Sequence, residues 1–310
     1  MGEVQIKTMS SDNCDAHNVA ASSCCASCGI AKVDDIKLKE CADCDLVRYC
    51  SDACHENHQP QHEEDCKKRA AEVRDDLLFK QPDSTHLWDC PICMIPLQLD
   101  LSKSSMQTCC SKVICKGCFH ANLFREEKER LENKCPFCRK LIPDTDEECD
   151  KRRMERVEAN DPVALRREGV VQLNKGDYSS AFEYYTKAAQ LGDVDSHYRL
   201  ASLYDLGKGV EKDEGKAIHH LEEAAIGGHP QARYNLGIEE GSNDNFERAV
   251  THFIIAAKQG HDDSIKPLMA AYRVGFVSKE DLAAALRAHQ AAVDATKSPL
   301  RDVAEEYDQG

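Results

Sequence analysis

Two cysteine-dense blocks followed by an alanine-rich repeat predict a multidomain chain: two small zinc-stabilised modules, then an all-α helical-repeat solenoid. Seventeen of the 18 cysteines precede residue 140. Each block spaces eight ligand-type residues largely in short pairs, the number that two tetrahedral zinc ions require. Beyond Asp161 cysteine is absent, and the motif Ala-Ala-x-x-Gly returns at 188–192, 224–228 and 256–260.

Composition narrows the functional classes. At net charge −15 over 310 residues, bulk electrostatics repel nucleic acid and anionic membrane surfaces, so neither is an expected partner. The basic clusters Lys67-Lys68-Arg69 and Lys151-Arg152-Arg153 sit among acidic neighbours and read as solvated helix surface. No N-terminal stretch resembles a signal peptide and no segment approaches a membrane span. The expected location is cytoplasmic or nuclear, where reduced cysteines at this density point to metal and not to disulfides.

Residues 1–23 are polar and aperiodic and are expected to be disordered. The first cysteine block occupies 24–66, and a helical linker follows over 67–86. That helix is expected from Glu63 to about Lys80, ended near Pro82. The second block occupies 87–143, a charged linker 144–160, the repeats 161–299 and a C-terminal tail 300–310.

The repeat period is 36 residues from Gly192 to Gly228 and 32 from Gly228 to Gly260, a length suited to stacked helix-turn-helix units. Leu200 and Leu203, and Ala217, Leu221 and Ala224, recur at helical spacing and form inward stripes. The pairs Ala188-Ala189, Ala224-Ala225 and Ala256-Ala257 let neighbouring helices approach closely. One copy, "LASLYDLGKGVEKDEGKAIHHLEEAAIGGH" (200–229), resembles the Sel-one-like repeat, a tetratricopeptide relative. Gly207, Gly209, Val210, Asp213, Lys216 and Ala217 carry the resemblance, with the glycines turning the loop through left-handed geometry. The resemblance covers about 130 residues and implies a scaffold for protein partners with no chemistry of its own.

The first block runs Cys25-x2-Cys28-x12-Cys41-x2-Cys44-x5-Cys50-x3-Cys54-x7-His62-x3-Cys66. Cys50/Cys54 and His62/Cys66 are i,i+4 pairs that can share a helix face. Cys24 could replace Cys25, but the gap to Cys28 favours Cys25; His55 and His58 are expected as exposed helix residues. "CADCDLVRYCSDAC" with His62 and Cys66 resembles a MYND-type zinc finger. The resemblance implies interleaved sites, Cys25, Cys28, Cys50 and Cys54 on one zinc and Cys41, Cys44, His62 and Cys66 on the other. Members of that family bind proline-rich segments, many with a Trp three residues before the ligand histidine. Here that place holds Gln59, which removes a stacking surface. Methyl transfer, which accompanies this finger in some proteins, has no supporting segment.

The second block supplies Cys90 and Cys93, Cys109 and Cys110, Cys115 and Cys118, and Cys135 and Cys138. Its order resembles a RING cross-brace, with Lys112 where a histidine ligand is usual. That implies Cys90, Cys93, Cys115 and Cys118 on one zinc, and Cys109, Cys110, Cys135 and Cys138 on the other, four ions in all. Adjacent cysteines can share a metal: tetrahedral sulfurs at Zn–S ~2.3 Å lie roughly 3.8 Å apart, like consecutive Cα atoms. The competing set pairs Cys110 with His120. RING ligases orient a charged ubiquitin-conjugating enzyme and have no nucleophile of their own. Ile92, Pro136 and Phe137 match the family's contacts with that enzyme, and Arg139 its "linchpin", whose planar fork suits two carbonyls. The helical aromatic of the family would fall at Asn122 or Leu123, and Phe119 with Leu123 is the expected substitute.

Cys14, Cys24 and Cys149 remain, and none has the neighbours of a catalytic thiol. The expected function is a RING-type ubiquitin ligase whose repeats, with or without the MYND finger, recruit protein substrates. The alternative is a non-enzymatic adaptor in which both zinc modules bind proteins.

Overall fold

A computed structural model describes residues 25–28, 38–42, 44 and 47–309. The expected disorder of 1–23, with Cys14 and Cys24, lies outside these residues. The chain divides into two compact units, 1–78 and 79–310.

In the first unit, strands β1 (Lys39–Glu40) and β2 (Arg48–Tyr49) pair antiparallel, Lys39 opposite Tyr49. They lead into the long helix α1 (Asp52–Leu78), which runs through Pro60. The helix expected from Glu63 therefore begins eleven residues earlier, at Asp52. Pro60 removes one backbone donor yet does not end the helix, which Cys54, His62 and Cys66 tie to the hairpin's ligand clusters.

The second unit opens with the other cysteine module. Strands β3 (Ser104–Met106) and β4 (Val113–Cys115) pair antiparallel, Ser105 opposite Ile114, and β4 runs into α2 (Lys116–Lys128). Its core is small: Leu97, Ile114 and the cysteines Cys90, Cys115 and Cys118. With so little apolar area to bury, a metal held by these cysteines would supply folding energy.

The charged linker is helical, as α3 (Asp146–Glu158). Helical hairpins follow: α4 (Pro162–Asn174) with α5 (Tyr178–Gln190), α6 (Val194–Leu206) with α7 (Glu214–Ile226), and α8 (Pro230–Ser242) with α9 (Phe246–Lys258). Helices start where an Asp or His side chain accepts an N-terminal N–H: Asp161, Asp177, Asp193, Asp213 and His229 do so, each such cap worth about 1 kcal/mol. The signature glycines end the second helix of each hairpin at φ +86° (Gly192), +83° (Gly228) and +85° (Gly260), a region only glycine enters without cost.

Alanine pairs 188/189, 224/225 and 256/257 are all buried. Between the helices of each hairpin, size is matched across the seam. Gly169 lies under the Tyr185 ring and Gly237 under Phe253, so close that a Cβ would sit 2.6 Å from either ring. At the same register the middle hairpin has Ala201 and Leu221, a larger residue facing a smaller one.

Past the last hairpin come α10 (Ile265–Arg273), α11 (Lys279–Ala295) and α12 (Pro299–Gln309). Residues 300–310, read from sequence as a tail, are thus mostly helix. That helix packs on α2 of the cysteine module. Tyr307 meets His120 and Phe124 edge-on at 5.1 and 5.2 Å, and Asp308 pairs with Lys116.

Candidate metal centres

Four tetrads bring their ligand atoms within 4.8 Å of one another. In the first unit, a turn at Cys25–Cys28 meets Cys50 and Cys54 at the start of α1. Cys28 Sγ and Cys54 Sγ each lie 3.6 Å from Cys50 Sγ, close to the tetrahedral spacing of roughly 3.8 Å. The second tetrad joins Cys41 and Cys44, from the hairpin, to His62 and Cys66 on α1. Cys44 Sγ is 3.1 Å from His62 Nε2, and Cys41 Sγ is 3.7 Å from Cys66 Sγ. Burial, and then the neighbouring His58, hold the His62 imidazole below its usual pKa, so it is neutral and able to donate a lone pair.

His55 and His58 are not the exposed residues expected. Both are half-buried around Tyr49, His55 edge-on at 4.9 Å and His58 Nδ1 3.1 Å from the phenol oxygen. They wedge the hairpin against α1 and stay outside the ligand sets.

In the second unit, Cys90, Cys93, Cys115 and Cys118 form one tetrad and Cys109, Cys110, Cys135 and Cys138 the other. Local turns build both. Backbone N–H groups reach sulfur from Cys115 to Cys90 (3.4 Å), Cys118 to Cys115 (3.4 Å) and Cys138 to Cys135 (3.5 Å). Four residues beyond Cys90 and Cys135, Met94 and Arg139 take positive φ (+57° and +63°) and bond back to the carbonyls of those cysteines. Ser111 does the same to Gln107 at φ +55°. That turn lets Cys109 and Cys110 swing to one side: Cys109 lies 3.2 Å from Cys138 and Cys110 3.9 Å from Cys135. His120 is elsewhere, 3.6 Å from Asp308 of α12. Lys112 is exposed, its ammonium 5.8 Å from the Phe137 ring.

The donor chemistry fits zinc. Thiolate sets with at most one imidazole, arranged tetrahedrally and closed to a fifth ligand, are structural zinc sites. Burial pushes the Cys110 thiol up to about 11 and the Cys118 thiol up to about 12. The Cys115 hydrogen bond leads in drawing Cys90 down to about 4. Packed thiols that resist ionising together are stabilised by a dication, which deprotonates them outright.

The contact residues expected for a conjugating enzyme are spread over these loops. Ile92 and Phe137 are 41% and 42% exposed, and Pro136 is half-buried. Arg139 is engaged internally: it donates to Asn122 Oδ1 (3.1 Å) and pairs with Glu126 Oε1 (3.2 Å). Glu126 is fully buried, and its other oxygen accepts from Lys134 N and Asn122 Nδ2. Asn122, where an aromatic was expected, makes a polar tie from α2 to the second ligand loop. Sequence reasoning missed Glu126, and also Arg301 on α12. Arg301 is buried and donates to the Ile95 and Pro96 carbonyls beside Cys93.

A further triad, His86, Asp195 and His229, also clusters; His86 Nδ1 is buried and unpaired, but the other two members are already engaged. His229 Nδ1 accepts from Ala232 N at the start of α8, and Nε2 faces Asp195 at 3.3 Å. Asp195 also pairs with Arg166 and Arg199, and two guanidinium groups repel a metal cation. His86 stacks on His229 at 4.0 Å and 12°, which makes the triad a packing joint.

The geometry defines a class: cysteine-rich metal modules attached to a helical repeat array. Residues 25–66 match the MYND finger model, and residues 168–193, 194–229 and 230–261 match the Sel1 repeat model, so the chain carries both. The second cysteine module lies outside those segments. Chitin synthase regulatory factor 4 of Schizosaccharomyces pombe is 33% identical over 86 residues, 27% of this chain and 14% of that protein. Chitin synthase regulator SKT5 of Saccharomyces cerevisiae is 33% identical over 66 residues, 21% of this chain and 10% of that protein. DAP3-binding cell death enhancer 1 of Mus musculus is 25% identical over 175 residues, 43% of this chain and 34% of that protein. The chain spans about a third or less of these relatives. A Sel1 repeat protein from Oxalobacter formigenes superposes with a TM-score of 0.44 at 23% identity, covering 56% of this chain and 52% of that one. Among the described residues, no helix is long and apolar enough to cross a membrane.

Proposed function

We propose that the chain is a zinc-binding adaptor that holds protein partners together without chemistry of its own. The observation that carries it is the joining of a MYND finger to Sel1 repeats in one chain. Two of the relatives above are named as regulators of another enzyme, and the third is named for a protein that it binds. An adaptor has separable surfaces. Crosslinked partners should fall into two sets, one lost on Cys66→Ser with the repeats folded, the other retained. Loss of every partner together would refute separable docking.

A ubiquitin-ligase role rests on a different observation, the two interleaved cysteine tetrads of residues 90–138 with Ile92 and Phe137 exposed beside them. In that case the module is a RING-type cross-brace, the chain binds four zinc ions, and a ubiquitin-conjugating enzyme is the partner of Ile92, Pro136 and Phe137. Arg139 would have to leave Glu126 to reach ubiquitin. Autoubiquitination across a broad panel of conjugating enzymes decides: chain building that falls on Ile92→Ala at unchanged zinc content establishes the ligase, and no chains at all leave the adaptor.

A further inference from the structure

Within the second unit a cleft of about 470 Å³ opens between the segment 81–89, the loop 96–100 and the ends of α9 and α11. It contains no metal tetrad, and three features set it apart from ordinary surface.

The first is Trp88, the chain's single tryptophan. It lines the cleft and is 69% exposed. Its indole has no ring or cation partner among the described residues. Its backbone sits at φ +58°, which is rare for a bulky side chain and costs energy. Trp88 N donates to Thr85 O and Trp88 O accepts from Leu97 N, at 3.1 and 3.0 Å. The fold therefore pins a strained residue so that its aromatic face meets solvent. Apolar burial does not account for that.

The second is charge. Asp83, Asp89, Asp100 and Asp262 line the cleft against Lys258 alone. Asp100 caps a 3-10 turn through Ser102 N, and Asp262 accepts from His289 at 2.9 Å. The carboxylates of Asp83 and Asp89 have no partner among the described residues.

The third is a pair of buried acceptors without donors. Gln259 is only 8% exposed and lines the cleft. Its amide nitrogen donates to Gly228 O at 3.2 Å and approaches Ser84 O at 3.5 Å. Two carbonyls fix which end is nitrogen, so the unpaired atom is the carbonyl oxygen Oε1. Gln81 Oε1, in the same lining, is buried and unpaired as well. Orphaned buried acceptors cost free energy and call for a donor.

An exposed indole face, unpaired carboxylates and orphaned amide oxygens all ask for one kind of ligand. It must be cationic, flat enough to stack and rich in N–H donors. We propose that this cleft docks an arginine side chain from a partner protein. Its guanidinium stacks on Trp88, where the cation–π attraction is strongest, and donates to Asp83 and Asp89. Five donors in a planar fork suit several acceptors at once, which a lysine ammonium does less well. This docking site is independent of the adaptor and ligase assignments.

The test uses the zinc-loaded full chain and a blocked hexapeptide, acetyl-Gly-Ser-Arg-Gly-Ser-Gly-amide. Trp88 is its own reporter, since no other indole contributes. Saturable change in tryptophan fluorescence is expected with the arginine peptide, and none with the citrulline version, which keeps the shape and loses the charge. Asp83→Asn and Asp89→Asn should each weaken binding about tenfold, the loss of one charge-assisted hydrogen bond. Trp88→Ala, followed by calorimetry, should weaken it about threefold to fivefold. Zinc content and melting temperature are checked for each variant, and Asp83→Asn, seven residues before Cys90 where Asp89 adjoins it, guards against a folding artefact at Asp89. Equal response to citrulline, equal affinity for the lysine peptide, absence of saturation, or indifference to both aspartate changes would overturn the proposal.

Discussion

Arg301 offers the sharpest test of how the cysteine module is held. Its side chain is 3% exposed. One guanidinium nitrogen donates to Pro96 O (2.7 Å) and Thr296 O (2.6 Å). The other donates to Ile95 O (3.1 Å) and lies 3.8 Å from Cys93 Sγ. Arg301→Met keeps the stem and removes these donors, stranding the Pro96 and Thr296 carbonyls; Ile95 O keeps its bond from Cys90 N. An unsatisfied buried acceptor costs about 1–3 kcal/mol, so two place the gross loss near 2–6 kcal/mol. Sparing the chain the desolvation of a guanidinium offsets part of that. The expected net loss is about 1–3 kcal/mol. It should fall on the first ligand loop, where a cation beside Cys93 also offsets thiolate charge. The assay is paired: thermal unfolding, and zinc release to a chromogenic chelator. Arg301→Met should unfold at lower temperature and release one zinc faster than wild type. Removing α12 after Ser298 should do at least as much, because it also deletes the Lys103–Glu305 and Lys116–Asp308 pairs. Unchanged melting within ~0.5 kcal/mol, together with unchanged release, would refute the clamp.

Three further outcomes follow from the same geometry. Native mass spectrometry should count four zincs on the wild type and on His120→Ala, but three on Cys109→Ser; the reverse pattern would move the ligand to His120. Gly237→Ala gains helix propensity of about 1 kcal/mol but drives a Cβ to 2.6 Å from Phe253. Overpacking of about 1–3 kcal/mol should prevail, and adding Phe253→Leu should relieve it, as judged by urea midpoints. Acid should weaken the joint at His86. Burial, and then the charge of His229, hold its pKa down to about 3 against the usual 6.5. Between those values the unfolded chain takes a proton that the folded chain refuses, so stability falls as pH drops below 6.5, by at most ~1.4 kcal/mol per pH unit. Asp195 acts in the same direction: burial alone would raise its pKa, but His229, Arg199 and Arg166 together lower it, and its share is lost as pH falls below 3.8. His86→Phe should flatten the profile between pH 7 and 5 relative to wild type.

The legible parts of the sequence were those written at short range. Ligand pairs such as Cys90/Cys93 and His62/Cys66 announce themselves by spacing, because a turn or a single helical step brings them together. The repeat was equally plain, since alanine pairs and left-handed glycines recur at fixed intervals. Two misreadings share one cause, a local rule overridden by a tertiary anchor. The helix expected from Glu63 starts at Asp52 and runs through Pro60, where Cys54 and His62 of the two clusters hold the turn in place. His55 and His58 looked like solvent-facing residues until Tyr49, on the neighbouring strand, covered them.

The clamp was hidden for a different reason. Its local signal was present: Ser298 before Pro299 marks a helix start, and Leu300, Ala304 and Tyr307 give a helical stripe. What no local pattern encodes is the surface that receives it. Arg301 reaches carbonyls more than 200 residues away, and Gly117 is small because the α12 backbone passes where its Cβ would be, 2.8 Å from Arg301 N. Each residue taken alone has an unremarkable explanation, a charged residue in a tail and a glycine between two ligands. Only their contact gives them a role, and that contact ties the second cysteine module to the C-terminal helix α12.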